Sequence, residues 1–236
     1  MRVAFEAPIG NTRFALEKSD YIFAIAPMLK IPEYAEEVKR AREQGKELHI
    51  DNGVYEGQLM GVDEYLELCY EWKPDVVVLP DVLLNGGATV DLTSKFFHRA
   101  KGNLPFKTMF VLQGRDDTEK LRGYELVGEC ADIIGLGLGA FEKDWRARIC
   151  FFAHAWEARW NYHIHILGIA NLADLCFWSA FAESCDTSLP FHAAHDGVEV
   201  LDEKKKSTRL DWFDTLEGER LRLAARNVEL VRRVLK

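Results

Sequence analysis

The octapeptide Leu48-His49-Ile50-Asp51-Asn52-Gly53-Val54-Tyr55 reads as an apolar strand closed by a carboxylate, then an Asn-Gly turn and an aromatic side chain. Asn and Gly punctuate a chain because both tolerate left-handed backbone. The same grammar recurs downstream. Pro74-Asp75-Val76-Val77-Val78-Leu79-Pro80-Asp81 is an apolar run ending on a carboxylate, and Met109-Phe110-Val111-Leu112-Gln113-Gly114-Arg115 is one ending on an amide. Gly135-Leu136-Gly137-Leu138-Gly139 ends a strand on glycines, Ile166-Leu167-Gly168 on a glycine turn, and Ser184-Cys185-Asp186-Thr187 carries another aspartate.

Strands are expected at Val3–Glu6, Tyr21–Ala26, Leu48–Asp51, Val76–Pro80, Thr108–Gln113, Ile133–Leu136, His163–Ile169 and Cys185–Thr187. Helical periodicity lies between them at Pro32–Gln44, Val62–Glu71, Gly87–Arg99, Thr118–Glu129, Lys143–Arg159 and Leu172–Glu183, with a basic C-terminal helix at about 214–235. Strands that are apolar throughout suit a sheet covered on both faces. Asp51, Asp81, Gln113, Gly137, Gly168 and Asp186 each fall at the C-terminal end of a different strand, and in a barrel those ends share one mouth. The sequence therefore points to an α/β fold, a (β/α)8 barrel over residues 1–236 as one domain, with a three-layer α/β sheet as the alternative.

The 236 residues carry 48% hydrophobic and 29% charged side chains, the make-up of an ordinary globular protein. No apolar run reaches the length of a membrane span, and Met1-Arg2-Val3-Ala4-Phe5-Glu6 has no secretory character, so a cytoplasmic location without membrane association is expected. Five widely spaced cysteines, none in a CxxC pair, read as buried reduced thiols. A net charge of −8 argues against coating nucleic acid by bulk electrostatics. It leaves room for a local patch, and Lys204, Lys205, Lys206 and Arg209 form one.

Each polar position has an ordinary structural explanation beside a functional one. Asp51 could serve as a turn cap or as a carboxylate held at the mouth, with Tyr55 placed to stack on a planar ligand. Asp81 could cap the next helix, or accept from two adjacent N–H groups of a guanine-like base. Gln113 must satisfy a donor and an acceptor end, from neighbouring loops or from a ligand. Gly135 and Gly137 permit close approach of backbone to ligand. Asp186 could pair with a loop amide, or act as a nucleophile at an electrophilic sugar carbon. His163 and His165 alternate on one strand, while His192 and His195 lie near Cys185; zinc spacings are absent, so a loop of hydrogen-bonded histidines is expected rather than a metal site. Trp145, Trp156 and Trp160, at helical spacing, suit core or lid packing.

Taken together the segments resemble the tRNA-guanine transglycosylase superfamily. That family has a strand ending Asp-Ser-Gly-Gly-Tyr/Phe, a second ending in Asp, a Val-Gln-Gly strand, a glycine segment, a Leu-Met-Gly-Val-Gly strand and an Asp-x-Phe-Asp-Cys segment. Their counterparts here, in the same order, are Asp51-Asn52-Gly53-Val54-Tyr55, Pro80-Asp81, Leu112-Gln113-Gly114, Gly135 to Gly139, Ile166-Leu167-Gly168-Ile169-Ala170 and Cys185-Asp186. The resemblance implies base exchange at a guanosine. Asp186 would attack C1′, and Asp51 would serve as general acid and base. Asp81, Gln113 and the Gly135-Leu136-Gly137 backbone would read the base, with Tyr55 on one face and Leu167 and Gly168 near the other.

The sequence departs from the family where Asp-Ser-Gly-Gly becomes Asp-Asn-Gly-Val. Nothing after Gly197 matches the zinc region of the tRNA enzymes, which implies no zinc cofactor. The chain looks more like the short phage-type branch that inserts 7-deazaguanine bases such as preQ0 into DNA. DNA is thus the expected polymer partner, tRNA the alternative, with a homodimer as a further expectation. A non-catalytic nucleic-acid-binding subunit and a small-molecule barrel enzyme are the competing classes.

Overall fold

Short runs of β-branched and aromatic residues build the strands, and apolar side chains at successive positions are what a strand covered on both faces requires. The computed structural model describes residues 1–101, 104–137, 163–201 and 211–235. Its strands are β1 (Arg2–Phe5), β2 (Ile22–Ile25), β3 (Leu48–Asp51), β4 (Val76–Val78), β5 (Lys107–Val111), β6 (Ile133–Gly137), β7 (His163–Leu167) and β8 (Ser184–Thr187). Helices among the described residues are α1 (Thr12–Lys18), α2 (Pro32–Glu43), α3 (Val62–Trp72), α4 (Gly86–Arg99), α5 (Asp117–Val127), α6 (Leu172–Trp178), α7 (Leu189–His195) and α8 (Gly218–Val234).

The strands form one eight-stranded sheet in the order β1-β8-β7-β6-β5-β4-β3-β2. From β2 to β8 strands consecutive in sequence lie side by side, and the last strand pairs in parallel with the first. That order, with helices following strands, is the (β/α)8 barrel topology and not that of a doubly wound sheet, whose strand order reverses part-way.

Contacts group the chain into two units. One comprises Ala24–Met28 and Leu48–His165. In it β3, β4, β5 and β6 pair in parallel, with His49 opposite Val76, Val77 opposite Thr108 and Val111 opposite Gly135. Register partners share a face, and the strand period of two puts Asp51 on the face of His49 and Val76. Buried Tyr65 on α3 reaches the Ile50 and Val78 carbonyls through its hydroxyl, at 3.0 and 2.8 Å, and so pins the helix to β3 and β4. Aspartates that precede β4 and β6 tie down the neighbouring strand within its first two residues. Asp75 accepts from the Leu48 amide and Asp132 from the Thr108 amide, both at 2.8 Å.

The other unit comprises Met1–Phe23, Leu29–Glu47 and Ile166–Lys236. There β1 and β8 set Val3 opposite Cys185 and Ala4 opposite Asp186. Asp20 repeats the strand-start pattern by accepting from the Val3 amide at 2.9 Å. Helix α8 buries Leu223, Ala224, Val228 and Val231. From the same face the buried Asn227 amide accepts from the Val200 amide and donates to the Pro190 and Val198 carbonyls.

Several expectations shift. Leu189–His195 is a helix rather than a loop, because Pro190 at its first turn presets a helical φ and needs no amide donor. Helix α1 has no counterpart among the expected elements. The basic C-terminal helix begins at Gly218, and part of its charge is committed: Arg232 reaches Asp20, Arg226 reaches Glu199, and Glu229 accepts from Lys18. Asp81 does not cap α4, whose first turn is capped instead by Asn85. Of the cysteines, Cys69 and Cys185 are buried and free, whereas Cys130 and Cys176 are free but exposed, so not every thiol is a core residue. Cys150, Trp145, Trp156, Trp160, Leu138, Gly139 and the expected helix Lys143–Arg159 lie outside the described residues. So does the expected basic patch of Lys204, Lys205, Lys206 and Arg209.

Candidate active site

In the unit that carries β3 to β6, the loops after β3, β4 and β5 converge on the Asp81 carboxylate. Asp81 is buried, as are Asn52 and Gln113. Asn52 Nδ2 donates to Asp81 Oδ1 at 2.6 Å, and Gln113 Nε2 donates to Asp81 Oδ2 at 2.5 Å. Both distances are shorter than is usual even for an N–H donor to a charged oxygen. The amides are themselves anchored by backbone. Asn52 Nδ2 also donates to the Leu79 carbonyl and its Oδ1 accepts from Val54, while Gln113 Oε1 accepts from Leu84.

Local sequence explains the convergence. Gly53 has φ of +80°, and a Cβ there would lie 2.8 Å from the Pro27 ring, so the Asn52-Gly53 turn needs glycine. A Cβ on Gly86 would lie 2.8 Å from the Gln113 carbonyl, so glycine also lets the start of α4 sit against the β5 loop. Glu119 clamps the same two loops by accepting from the Gly86 and Arg115 amides at 2.7 and 2.9 Å. Leu84, with φ of +56°, is a non-glycine residue in the left-handed region, and its amide is the one aimed at Gln113.

Burial pushes the Asp81 carboxyl up to about 6, against the opposing pull of the hydrogen bonds from Asn52, Gln113 and its own backbone amide. Desolvation disfavours the charged form and donors favour it, and here desolvation wins. The Tyr65 phenol nearby is raised well above its ordinary value, first by burial and further by Cys69, Asp51 and Asp81.

Asp51 is half-buried at the last position of β3, and its Oδ2 accepts from the Gly53 amide at 2.9 Å. Tyr55 is 77% exposed in the following loop. Gly135 and Leu136 are buried within β6, and the Gly135 carbonyl accepts from Leu112 as part of the sheet. Gly137 ends β6, and among the described residues no atom lies within 4 Å of where its side chain would stand.

In the other unit Asp186 is buried on β8, and its Oδ2 accepts from the Gly168 amide at 3.0 Å. Gly168 is exposed just past β7, with φ of +69°; Leu167, the last residue of β7, is half-buried. The strand end is braced on either side of the carboxylate. Tyr21 donates to the Cys185 carbonyl at 2.7 Å, and Thr187 donates to the Ile169 carbonyl at 2.5 Å.

Asn52, Tyr65 and Glu119 are the polar residues of this arrangement that the sequence does not single out. An Asn directly after a strand-ending Asp is the available signal for Asn52. Among the described residues no group of three or more His, Cys, Asp or Glu is placed to hold a metal ion. His195 lies 3.5 Å from Asp196 and 3.8 Å from Asp214. His49 and His165 are buried, with ring centroids 6.5 Å apart. Among the described residues no helix is long and apolar enough to cross a membrane.

No family model and no curated protein matches the chain. Among solved structures it is similar to the tryptophan synthase subunit alpha of Legionella pneumophila str. Paris, with a TM-score of 0.53 and 10% identity over 99% of this chain and 92% of that one. At that identity the likeness speaks to the barrel fold alone.

Proposed function

We propose that the protein is a transglycosylase that exchanges guanine in a nucleic acid, DNA in preference to tRNA, for a 7-deazaguanine base. The observation that carries this reading is the donor and acceptor arithmetic at Asp81 and Gln113. A carboxylate offers about four lone-pair sites, and the amide contacts from Asn52 and Gln113 leave acceptor capacity on both Asp81 oxygens. One N–H of Gln113 has no hydrogen-bond partner among the described residues. An acceptor beside a donor matches the lactam edge of guanine, whose ring N–H and amino group donate while its carbonyl accepts. Gly137, at the next strand end, supplies backbone to the same edge.

The chemistry assigned to the two remaining aspartates follows the resemblance. Asp186 forms a bond to C1′ as the glycosidic bond to guanine breaks, and Asp51 gives a proton to the departing base. Asp51 then takes a proton from the incoming 7-deazaguanine, whose nitrogen displaces Asp186 from C1′. Two displacements replace one difficult step, and the target nucleotide must be turned out of its stack to reach either carboxylate. No metal or organic cofactor enters this scheme.

A non-catalytic nucleic-acid-binding subunit is the second reading. One observation favours it: a buried aspartate that accepts a loop amide, as Asp186 does, is also what a purely structural carboxylate looks like. Incubating the protein with guanine-containing duplex DNA, and in parallel with tRNA, without free base separates the two. A denaturation-resistant adduct lost in Asp186→Asn is expected with DNA. Binding without any adduct on either polymer favours the subunit, and an adduct on tRNA alone reverses the choice of polymer.

A further inference from the structure

Asn52 has no part in the exchange chemistry, yet it is 2% exposed and its whole amide is engaged. Two of its three hydrogen bonds go to fixed backbone groups: Oδ1 accepts from the Val54 amide at 2.9 Å and Nδ2 donates to the Leu79 carbonyl at 3.0 Å. Those two contacts determine which end of the amide is nitrogen. The remaining N–H is therefore directed at Asp81 whether or not a ligand is present. Gln113 is oriented in the same way, because its Oε1 is held by the Leu84 amide and its Nε2 must face Asp81. A carboxyl flanked by two enforced donors is served best as the anion, since a carboxylate accepts only and a protonated carboxyl carries a donor of its own.

We infer that Asn52 is a positioning residue for base recognition: it holds Asp81 as a fixed, charged acceptor and thereby sets the pH range over which an edge with two adjacent N–H groups is bound. The inference rests on reading Asp81 as the base-recognition group. From β3 and its loop Asp81 is faced by Asn52, with Asp51 adjoining; from α3 it is faced by the Tyr65 phenol, and from the β5 loop by Gln113. Burial disfavours the negative charge on Asp81, and Asn52 and Gln113 are the side chains that oppose it.

The test is a carbon-13 carboxyl titration of the full chain by NMR, paired with 7-deazaguanine binding from pH 5 to 9. In the unsubstituted protein the Asp81 resonance should titrate near pH 6, and base affinity should rise through the same interval. Asn52→Ala should move both inflections upward by about one pH unit, as loss of a donor to the charged form does. Base affinity at pH 6 then drops about fivefold and returns near the original value above pH 8. Asn52→Asp keeps the volume and the acceptor for Val54 but sets a like charge beside Asp81, so it should move the inflection further. It also carries the test if Asn52→Ala does not fold. An Asp81 inflection that stays put in a folded variant, or a loss of affinity equal at every pH, overturns the role of Asn52 alone. An unsubstituted protein that titrates as expected but binds no 7-deazaguanine overturns the base-exchange reading, and this role with it.

Discussion

Asp81 and Asp186 are buried to nearly the same degree, at 2% and 3% exposure, and each lies toward the C-terminal end of a strand, but the chain holds them by different means. Asp81 is gripped by side chains, the Asn52 and Gln113 amides, drawn from the loops of the two strands that flank its own. Asp186 accepts a backbone amide from Gly168, on the loop of the neighbouring β7. A grip made of side chains can be altered by point substitution, and it tunes the acidity of the group it holds. A grip made of backbone depends on local conformation, here on a glycine at φ of +69°. The difference suits the roles proposed: a recognition group whose acidity is tuned by its side-chain partners in one unit, and a nucleophile aimed by a backbone amide in the other.

The largest effect that would break this contrast is on chemistry. Asp186→Asn keeps the shape and an acceptor for the Gly168 amide but removes the nucleophilic charge. Base exchange should fall by on the order of a thousandfold or more in a radiolabelled guanine incorporation assay. Thermal stability should change little. If Asp186→Asn exchanges bases at an undiminished rate, Asp186 is structural and the distinction between the two carboxylates loses its functional meaning.

The next effect concerns pH. Burial raises the folded-state Asp81 carboxyl from 3.8 to about 6. A group whose folded pKa is raised binds more protons in the native state between those values, so stability falls as pH rises across that window. Its contribution is fully present below about pH 4, is lost progressively up to about pH 6, and amounts to roughly 3 kcal/mol. Urea unfolding from pH 4 to 7 should show this slope, flattened in Asp81→Asn. An unchanged slope in that variant would mean that the two amides offset burial more fully, and that Asp81 is held as firmly charged as a surface carboxylate.

These two carboxylates also mark how far the sequence can be read. Strand β3 appears at Leu48–Asp51 as expected, because an apolar run meeting Asn-Gly leaves little freedom in where a strand stops. Asp51, Asp81, Gln113, Gly137, Gly168 and Asp186 are legible as strand-end residues for the same reason. The Asn52 to Asp81 bond is not: it joins residues 29 apart whose meeting depends on the β3–β4 register, with His49 opposite Val76, which no local pattern encodes. Helix α7 escapes a local reading because Ser188-Leu189-Pro190 suits equally a turn or a helix start with proline in its first turn. Nor does the sequence show what the aspartates placed before strands are bonded to. In the structure Asp20, Asp75 and Asp132 accept amides from the first two residues of β1, β3 and β5, a structural duty that leaves the strand-end carboxylates as the candidates for chemistry.

A smaller effect tests the backbone grip directly. Gly168→Ala places a side chain in open space, so no clash contributes and only the left-handed conformation matters. That conformation costs an alanine about 1 kcal/mol, a melting temperature lower by about 2 to 4 °C for a chain of this size. Exchange activity should drop more than stability if the Gly168 amide sets the aim of Asp186. A loss of stability with activity unchanged would show that the amide supports the loop and not the nucleophile.

The smallest expected effect is the mirror of that substitution. Leu84 occupies the left-handed region at φ of +56° with a Cβ, and its amide orients Gln113 and through it Asp81. Leu84→Gly removes the local strain, worth about 1 kcal/mol. It also adds backbone freedom to the unfolded chain, which costs roughly 0.5 to 1 kcal/mol. Because Leu84 is 48% exposed, little buried apolar area is lost. The terms nearly cancel, and denaturation midpoints should agree within about 0.5 kcal/mol. The informative measurement is the carbon-13 titration of Asp81. If the strained leucine is needed to aim the amide at Gln113, the inflection moves upward in Leu84→Gly although stability does not. If the inflection holds, the grip on Asp81 is set by the Gln113 and Asn52 side chains alone, and the contrast with the backbone-held Asp186 becomes sharper.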